Sequence, residues 1–144
     1  MPWEELGKNE RWTPSTLIDT AVGGDKTLTV PAGKEYIIEH IYMTYAATAV
    51  VGNRAPQIYF STSTTSDKFS IIYMPTITAG QSKAINLGPD FPNDAAYPAP
   101  GALSLRLPKV TLKAGDKIRF VDGANIDKLN DTWSYWARIL ERNV

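Results

Sequence analysis

Residues that could carry out acid–base or nucleophilic chemistry are few and lack evident partners. His40 is the only histidine, and its neighbour Glu39 points to the opposite face if both lie in a strand. A Ser-His-Asp arrangement therefore has little support, although residues 61–66 are rich in serine and threonine. Asp90 and Asp94 share one segment and leave glycoside hydrolysis by paired carboxylates open as an alternative. The sequence predicts a structural or surface histidine, no catalytic residue and no enzymatic activity.

The segment from Asp122 to Asp131 is rich in Asp and Asn, whose side-chain oxygens can bind calcium. An EF-hand loop needs oxygen-bearing side chains at alternate positions, and Ala124 and Ile126 occupy two of them. An irregular calcium site is the alternative. The common role of such a segment is a loop in which Asx side chains accept hydrogen bonds from nearby backbone N–H groups. We therefore predict no metal and no cofactor.

Aromatic residues offer a third kind of site, a platform on which a sugar could stack. The candidates are Tyr59, Tyr97, Trp133, Tyr135 and Trp136. In an alternating strand Trp133 and Tyr135 lie on one face and Trp136 on the other, so these residues do not form one flat row. Core and interface packing is the interpretation that the pattern favours. A carbohydrate-binding module or a receptor-binding tip is the alternative.

Composition excludes several classes of function. Fifteen Lys and Arg balance fifteen Asp and Glu, so the basic excess of a nucleic-acid-binding domain is missing and no nucleic-acid partner is expected. The chain has no cysteine, which excludes disulfides and thiolate chemistry. The first residues lack the pattern of a signal peptide, and the weakly apolar run from Tyr45 to Val51 is too short to span a bilayer. We expect synthesis in the cytoplasm and no membrane association. Because a chain of zero net charge has little electrostatic protection against self-association, we also expect the protein to function inside an assembly.

Strand patterns dominate the chain after its first residues, and no window has an apolar stripe of helical period. The clearest alternation of leucine with polar residues runs over 103–107. In the long run from residue 34 to 45 the apolar face switches near Glu39 and His40, which predicts a β-bulge or a crossing between sheets. About eight short strands joined by Ala-Gly corners predict an all-β sandwich with jelly-roll or Greek-key connectivity. We assign this single domain to residues 16–144.

Residues 1–15 are polar and have no strand or helix period, yet they include Trp3, Leu6 and Trp12. Large apolar side chains on an irregular segment need a surface to pack on. We interpret the segment as an extended N-terminal arm, which packs either on its own domain or on a neighbouring subunit; a flexible tail is the remaining alternative.

A second irregular stretch, from Gly88 to Gly101, holds four prolines and is typical of one long ordered loop. Loops of this length often carry function. Its aromatic residues Phe91 and Tyr97 join the three apolar residues of the arm as candidate interface residues.

Three stretches combine turn residues with strands in a familiar way. They are Leu28 to Lys34, then Gly52-Asn53-Arg54 with the strand around Ile58, and then Leu107-Pro108 with residues 112–119 and the Asp-rich loop. In these stretches the chain resembles the small β-sandwich virion structural proteins of tailed bacteriophages, of the head decoration or cement type. The resemblance runs from Thr27 to the C-terminus and leaves out the arm and residues 89–100.

The resemblance implies a non-enzymatic protein that binds the outer capsid surface as a homotrimer and bridges neighbouring capsomers. Its partners would be further copies of itself and the major capsid protein, and its location would be the virion. Many copies at symmetric sites act together, so each contact need contribute only a few kcal/mol. A tail or head-to-tail component is the runner-up within this class.

The resemblance also places Arg54 and an aspartate of the Asp-rich loop among its recurrent residues. Arg54 precedes the strand that contains Ile58, and Asp131 ends the loop just before the last strand. An arginine can present its planar guanidinium to a carboxylate and so tie the loop to the sandwich. The hypothesis is a structural ion pair between Arg54 and Asp131, and the alternative is two separately solvated surface charges.

Overall fold

Ten β-strands and no helix make up the part of the chain that the structure, a computed structural model, describes: residues 11–63 and 67–144. The strands are β1 (Thr13–Asp19), β2 (Lys26–Thr29), β3 (Lys34–Ala46), β4 (Pro56–Ser61), β5 (Lys68–Tyr73), β6 (Ser82–Gly88), β7 (Leu103–Arg106), β8 (Thr111–Leu112), β9 (Lys117–Asp122) and β10 (Thr132–Asn143). With no helix in these ranges, none of the described residues forms an apolar helix that could cross a membrane.

The strands form two sheets. The first sheet has the order β1-β10-β3-β6-β7, with β8 paired to one end of β3, and the second has the order β2-β9-β4-β5. Apart from β7 and β8, this is the strand order of a jelly roll, in which the first, eighth, third and sixth strands face the second, seventh, fourth and fifth. Strands β7 and β8 are an insertion before the seventh jelly-roll strand. The predicted all-β sandwich with jelly-roll connectivity is confirmed.

The Ala-Gly corners lie where the sequence predicts them, between strands. Gly33, Gly80 and Gly115 have φ values of 75°, 75° and 88°, a left-handed conformation that glycine adopts without steric cost. The corner at Gly115 donates its N–H to the carbonyl of Val30. This hydrogen bond therefore connects the corner at Gly115 with the corner at Gly33, which follows Val30.

Strand β3 changes its buried face at a bulge. Arg138 of β10 pairs with His40 and the next residue of β10 pairs with Ile38, so Glu39 is the extra residue. Before the bulge Tyr36 and Ile38 are buried, and after it the odd-numbered residues Ile41, Met43 and Tyr45 are buried. The predicted switch of the apolar face is confirmed as a bulge.

The core lies between the two sheets and is built from alternate residues of each strand. Trp133 and Tyr135 of β10 are buried on its inner side, as predicted. The Trp133 ring meets Tyr45 edge-on at 4.6 Å, and the Tyr135 ring stacks on Phe120 of the second sheet at 4.9 Å between centroids. The first contact lies within the first sheet and the second joins the two layers, so the position of the last strand is fixed by packing as well as by its ladder.

The first sheet begins inside the predicted arm. Strand β1 starts at Thr13 and pairs with β10 from Glu141 onward, so residues 13–15 belong to the sheet and the strand starts three residues before the assigned boundary. Trp12 lies within the described residues, whereas Trp3 and Leu6 lie outside them.

Candidate interaction surfaces and the buried ion pair

The structure brings Arg54 and Asp131 together. Arg54 donates from Nε to Asp131 Oδ2 at 2.8 Å and from Nη2 to Oδ1 at 3.1 Å, the two-bond geometry that planar groups allow. The Arg54 and Asp131 side chains are 0% and 2% exposed. Arg54 lies just before β4 in a bridge to Ile77, and Asp131 lies just before β10. The pair thus ties the loop between β9 and β10 to the start of β4.

The remaining donors of the Arg54 guanidinium are also used. Nη1 donates to the carbonyls of Val50 and Gly52 at 2.8 and 2.6 Å, and Nη2 donates to the carbonyl of Thr48 at 3.2 Å. Arginine carries five N–H groups. The three bonds to carbonyls and the two bonds to Asp131 use all five. The guanidinium therefore holds the loop between β3 and β4 by binding three of its carbonyls.

Asp131 is satisfied from three sides. Besides the arginine, its carboxylate accepts bonds from the Tyr45 hydroxyl and the Thr48 backbone N–H, both at 2.8 Å. Burial alone raises the pKa of Asp131, but the bonds from Arg54, Thr48 and Tyr45 outweigh it and hold the pKa below its usual value. The Asp131 carboxylate is consequently charged at neutral pH. Burial, together with the hydrogen bond to Asp131, raises the pKa of the Tyr45 hydroxyl.

The rest of the Asp-rich loop uses its carboxylates on the backbone. Asp122 accepts bonds from the N–H groups of Ala55, Ala124 and Ile126 at 2.8, 3.0 and 3.2 Å. Asp127 accepts a bond from the Thr48 hydroxyl at 2.6 Å. The predicted pattern of Asx side chains bonded to nearby N–H groups is confirmed. Within residues 11–63 and 67–144, three or more His, Cys, Asp or Glu residues do not group in a way that could hold a metal ion.

The outer face of the first sheet carries aromatic and aliphatic side chains. Residues opposite each other in an antiparallel ladder point to the same side, and Ile18, Trp136 and Tyr42 form one such outward row across β1, β10 and β3. Ile18 is 60% exposed and Tyr42 37%, and the Tyr42 and Trp136 ring centroids are 5.6 Å apart. A second outward row pairs Leu140 with Ile37.

A cavity of about 410 Å³ opens beside the second outward row, where the bulge of β3 meets the loop after β6. Its lining combines Leu140, Ile37 and Pro89 with the charged side chains of Glu39 and Lys109. The cavity extends the outer face of the first sheet toward the long loop, so the two form one continuous surface of mixed apolar and charged character.

His40 and Phe91 meet next to this cavity. Their rings are 5.2 Å apart and meet edge-on, and His40 Nε2 is 3.1 Å from the side-chain oxygen of Asn86. His40 and Phe91 both line a smaller cavity of about 210 Å³, together with Glu39 and Asp90. The histidine therefore has packing and hydrogen-bond partners that account for its position.

The long loop after β6 is held by its own side chains. Tyr97 packs against the core and donates its hydroxyl to the Pro75 carbonyl at 2.8 Å, and Asp94 accepts the Ser104 N–H at 2.8 Å. Burial raises the pKa of the Tyr97 hydroxyl. The structure thus places Phe91 and Tyr97, two of the predicted interface residues, in half-buried positions within their own chain.

Trp12, the third predicted interface residue in the described part, also contacts its own chain. Its ring lies 4.6 Å from the guanidinium carbon of Arg142, which is paired with Glu35 at 3.0 Å. Trp12 is partly exposed. It therefore continues the outer face of the first sheet toward the amino-terminal residues.

The sequence does not identify Tyr42 and Ile18 as surface candidates. Alternation places them on the outer face of the sheet, but it does not show that this outer face is apolar. Nor does the sequence identify Lys68 and Arg119 on the second sheet, which flank the outward-facing Tyr59. A count of apolar residues at outward positions of a half-buried strand is the signal that could have identified the first pair.

The strand order and the two packed sheets define the class of fold as a jelly-roll β-sandwich. Neither a protein-family model nor a curated protein matches the chain. Among solved structures, that of desmodium yellow mottle tymovirus matches with a TM-score of 0.36 and 6% identity, over 92% of this chain and 86% of that chain. The structure of infectious bursal disease virus Gx strain matches with a TM-score of 0.29 and 14% identity, over 94% of this chain and 34% of that chain. Both similarities are distant, and the fold assignment rests on the strand order.

Proposed function

We propose that this chain is a structural protein of a virion, and specifically a capsid decoration protein of a tailed phage that binds the outer capsid surface and bridges capsomers. The proposal is supported by the sequence resemblance to such proteins and by a jelly-roll sandwich, an architecture that occurs in viral capsid and lectin domains. In this role the partners are the major capsid protein and further copies of this chain in a homotrimer.

The observation that carries the proposal is the outer face of the first sheet. Its outward rows expose Ile18 and Tyr42 beside Trp136, and the cavity at Leu140 extends it. Contiguous apolar side chains on a surface are typical of a protein interface. Burying an isoleucine of this kind contributes about 1.5–3 kcal/mol, which is sufficient when many copies bind one shell.

The test is binding of the full-length chain to empty heads that were assembled without it. We expect the pair of substitutions Ile18→Ser and Tyr42→Ser to weaken binding at least about tenfold, which corresponds to about 1.4 kcal/mol. The matched control is Leu129→Ser, because Leu129 is 82% exposed but lies in the loop between β9 and β10. The Leu129→Ser control should bind as the wild type does. Wild-type binding by the variant with Ile18→Ser and Tyr42→Ser would contradict the proposal for this face.

A tail or receptor-binding module that recognises carbohydrate is the second candidate. The observation that favours it is the outward pair of Tyr42 and Trp136, whose rings lie 5.6 Å apart at 40° to each other and have polar neighbours such as Asn86 across the ladder. A glycan array on the wild-type chain and on Trp136→Ala decides between the two functions. Glycan binding that disappears in the variant supports this candidate, and its absence together with head binding supports decoration.

A further inference from the structure

The outer face of the second sheet differs in character from that of the first. Its outward positions follow from the ladders that join β2, β9, β4 and β5. They are Thr27, Thr29, Gln57, Tyr59, Ser61, Lys68, Ile71, Tyr73, Lys117, Arg119 and Val121. These positions, all within the described residues, hold three cations and no carboxylate. We refer to this surface as the basic face.

Tyr59 lies at the centre of the basic face between two of the cations. Arg119 donates from Nη1 to the Tyr59 hydroxyl at 2.7 Å, and Lys68 Nζ lies 4.4 Å from the centre of the ring. Tyr59 is only 7% exposed although it points outward, because these two side chains cover it. The contacts fix the positions of both charged groups before any partner arrives, which lowers the entropy cost of binding.

None of the three cations takes part in an ion pair among the described residues. The Lys117 ammonium donates to a backbone carbonyl, that of Ser63. Lys117 and Arg119 are two residues apart on one side of a strand, so their backbones are separated by about 7 Å. Like charges at this spacing repel each other. Ile71 and Tyr73 of β5 lie on the same face, two strands away, and are 40% and 68% exposed. The basic face therefore suits a ligand that combines carboxylates with apolar side chains.

We infer that the basic face binds residues 1–10 of a second copy of this chain. That segment has three glutamates and one lysine, and its Glu4-Glu5 pair lies between Trp3 and Leu6. In an extended segment Trp3 and Glu5 point to one side and Glu4 and Leu6 to the other, so on either side one glutamate would meet the cations and the apolar residue two positions away would cover the exposed side chains of β5. This inference identifies the contact behind the proposed trimer, and it does not depend on the capsid role.

The dimensions of the face fit this segment. The distance from β5 to β9 is two strand spacings, about 10 Å, which three or four extended residues span at about 3.3 Å each. A second copy is favoured over the same copy because Trp12 lies on the outer face of the other sheet, against Arg142. From there to Glu4 the chain reaches at most about 28 Å. The step from the first sheet to the second takes about 10 Å, and crossing from β2 to β5 takes three strand spacings, about 14 Å, so little of that length remains.

The experiment is a charge exchange in the full-length chain, with sedimentation velocity as the measurement. One variant carries Glu4→Lys and Glu5→Lys, and the other carries Lys68→Glu and Lys117→Glu. We expect the wild type to associate and each variant alone to associate at least about tenfold more weakly. An equimolar mixture of the two variants should associate more tightly than either variant alone, because two of the three contacts in a mixed trimer then join opposite charges. Lys109→Glu, on the side of the first sheet, is the matched control and should associate as the wild type does.

Several results would overturn the inference. They are a wild type that stays monomeric, variants that associate as the wild type does, and a mixture that associates no more tightly than either variant alone although both variants melt at the wild-type temperature. Binding of a single-stranded oligonucleotide by a monomeric wild type, lost in the Lys68 and Lys117 variant, would assign the face to phosphates instead. Head binding is measured separately, so failure here leaves the decoration proposal standing.

Discussion

Breaking the Arg54–Asp131 pair should cost far more than an ordinary surface ion pair. Both side chains are almost fully buried, so Asp131→Asn leaves a guanidinium charge in the interior without its counter-ion. Arg54→Met strands the carboxylate and also frees the carbonyls of Val50 and Gly52. Removing one partner of a buried pair destabilises a protein by about 3–5 kcal/mol. For a domain of this size, that loss lowers the midpoint of thermal unfolding by about 10–15 °C.

The double variant separates a paired charge from two independent ones. With Arg54→Met and Asp131→Asn together neither charge of the pair remains in the interior, so we expect a loss of free energy of unfolding clearly smaller than the sum of the single losses. Urea unfolding at pH 7, followed by circular dichroism, measures all three values. The matched control is the exposed pair Arg138–Glu39, whose side chains are 59% and 42% exposed at 3.9 Å; there each substitution should cost about 0–1 kcal/mol.

Acid provides a check on the same interaction. Because the pKa of Asp131 is lowered in the folded protein from its usual value of 3.8, its stabilisation is complete above that value and is lost as the pH falls through the lowered pKa. The difference in stability between the wild type and Asp131→Asn should therefore be constant from pH 7 to about pH 5 and shrink below about pH 4. Additive single losses below about 1 kcal/mol, or a difference that grows in acid, would refute the pairing.

Three further predictions concern the loops. Gly52→Ala should cost about 1–3 kcal/mol in unfolding free energy, because φ is 137° and the new Cβ would meet Ile126 at 2.8 Å; wild-type stability would refute this. Tyr97→Phe should lose about 1 kcal/mol with the bond to the Pro75 carbonyl, and an unchanged urea midpoint would count against that anchor. Chelators should leave the melting temperature unchanged, whereas a drop restored by calcium would reveal a site in the loop from Asp122.

Alternation in the sequence was sufficient to predict the sandwich and much of its core. The bulge at Glu39 was predictable because a one-residue insertion reverses the buried face, and Tyr36 and Ile41 could not otherwise both be buried in one strand. The sidedness of Trp133 and Trp136 followed from the same period of two. Only the type of connectivity, jelly roll or Greek key, was predictable. Alternation determines which side chains of a strand face the core, whereas the neighbour of each strand depends on packing between segments that are distant in the sequence.

The surfaces were harder to predict than the core. The sequence does not show that Tyr59 lies beneath Lys68 and Arg119, because these residues are brought together by pairing of β4 with both β5 and β9. The sequence predicts interface roles for Phe91 and Tyr97 only because they lie in a long loop, and the structure gives both of them contacts within their own chain. Partner choice depends on outward side chains, which no packing pattern within one chain constrains.

Electron cryomicroscopy of particles purified from the source of this sequence tests the proposed function most directly. We expect density for a β-sandwich of this size on the outside of the head, at sites between capsomers, with the sheet that carries Ile18 and Tyr42 turned toward the shell. Heads that lack the chain should show bare sites at the same positions. Density for the chain only in the tail, or particles that do not contain it, would contradict the account of this protein as a capsid decoration protein.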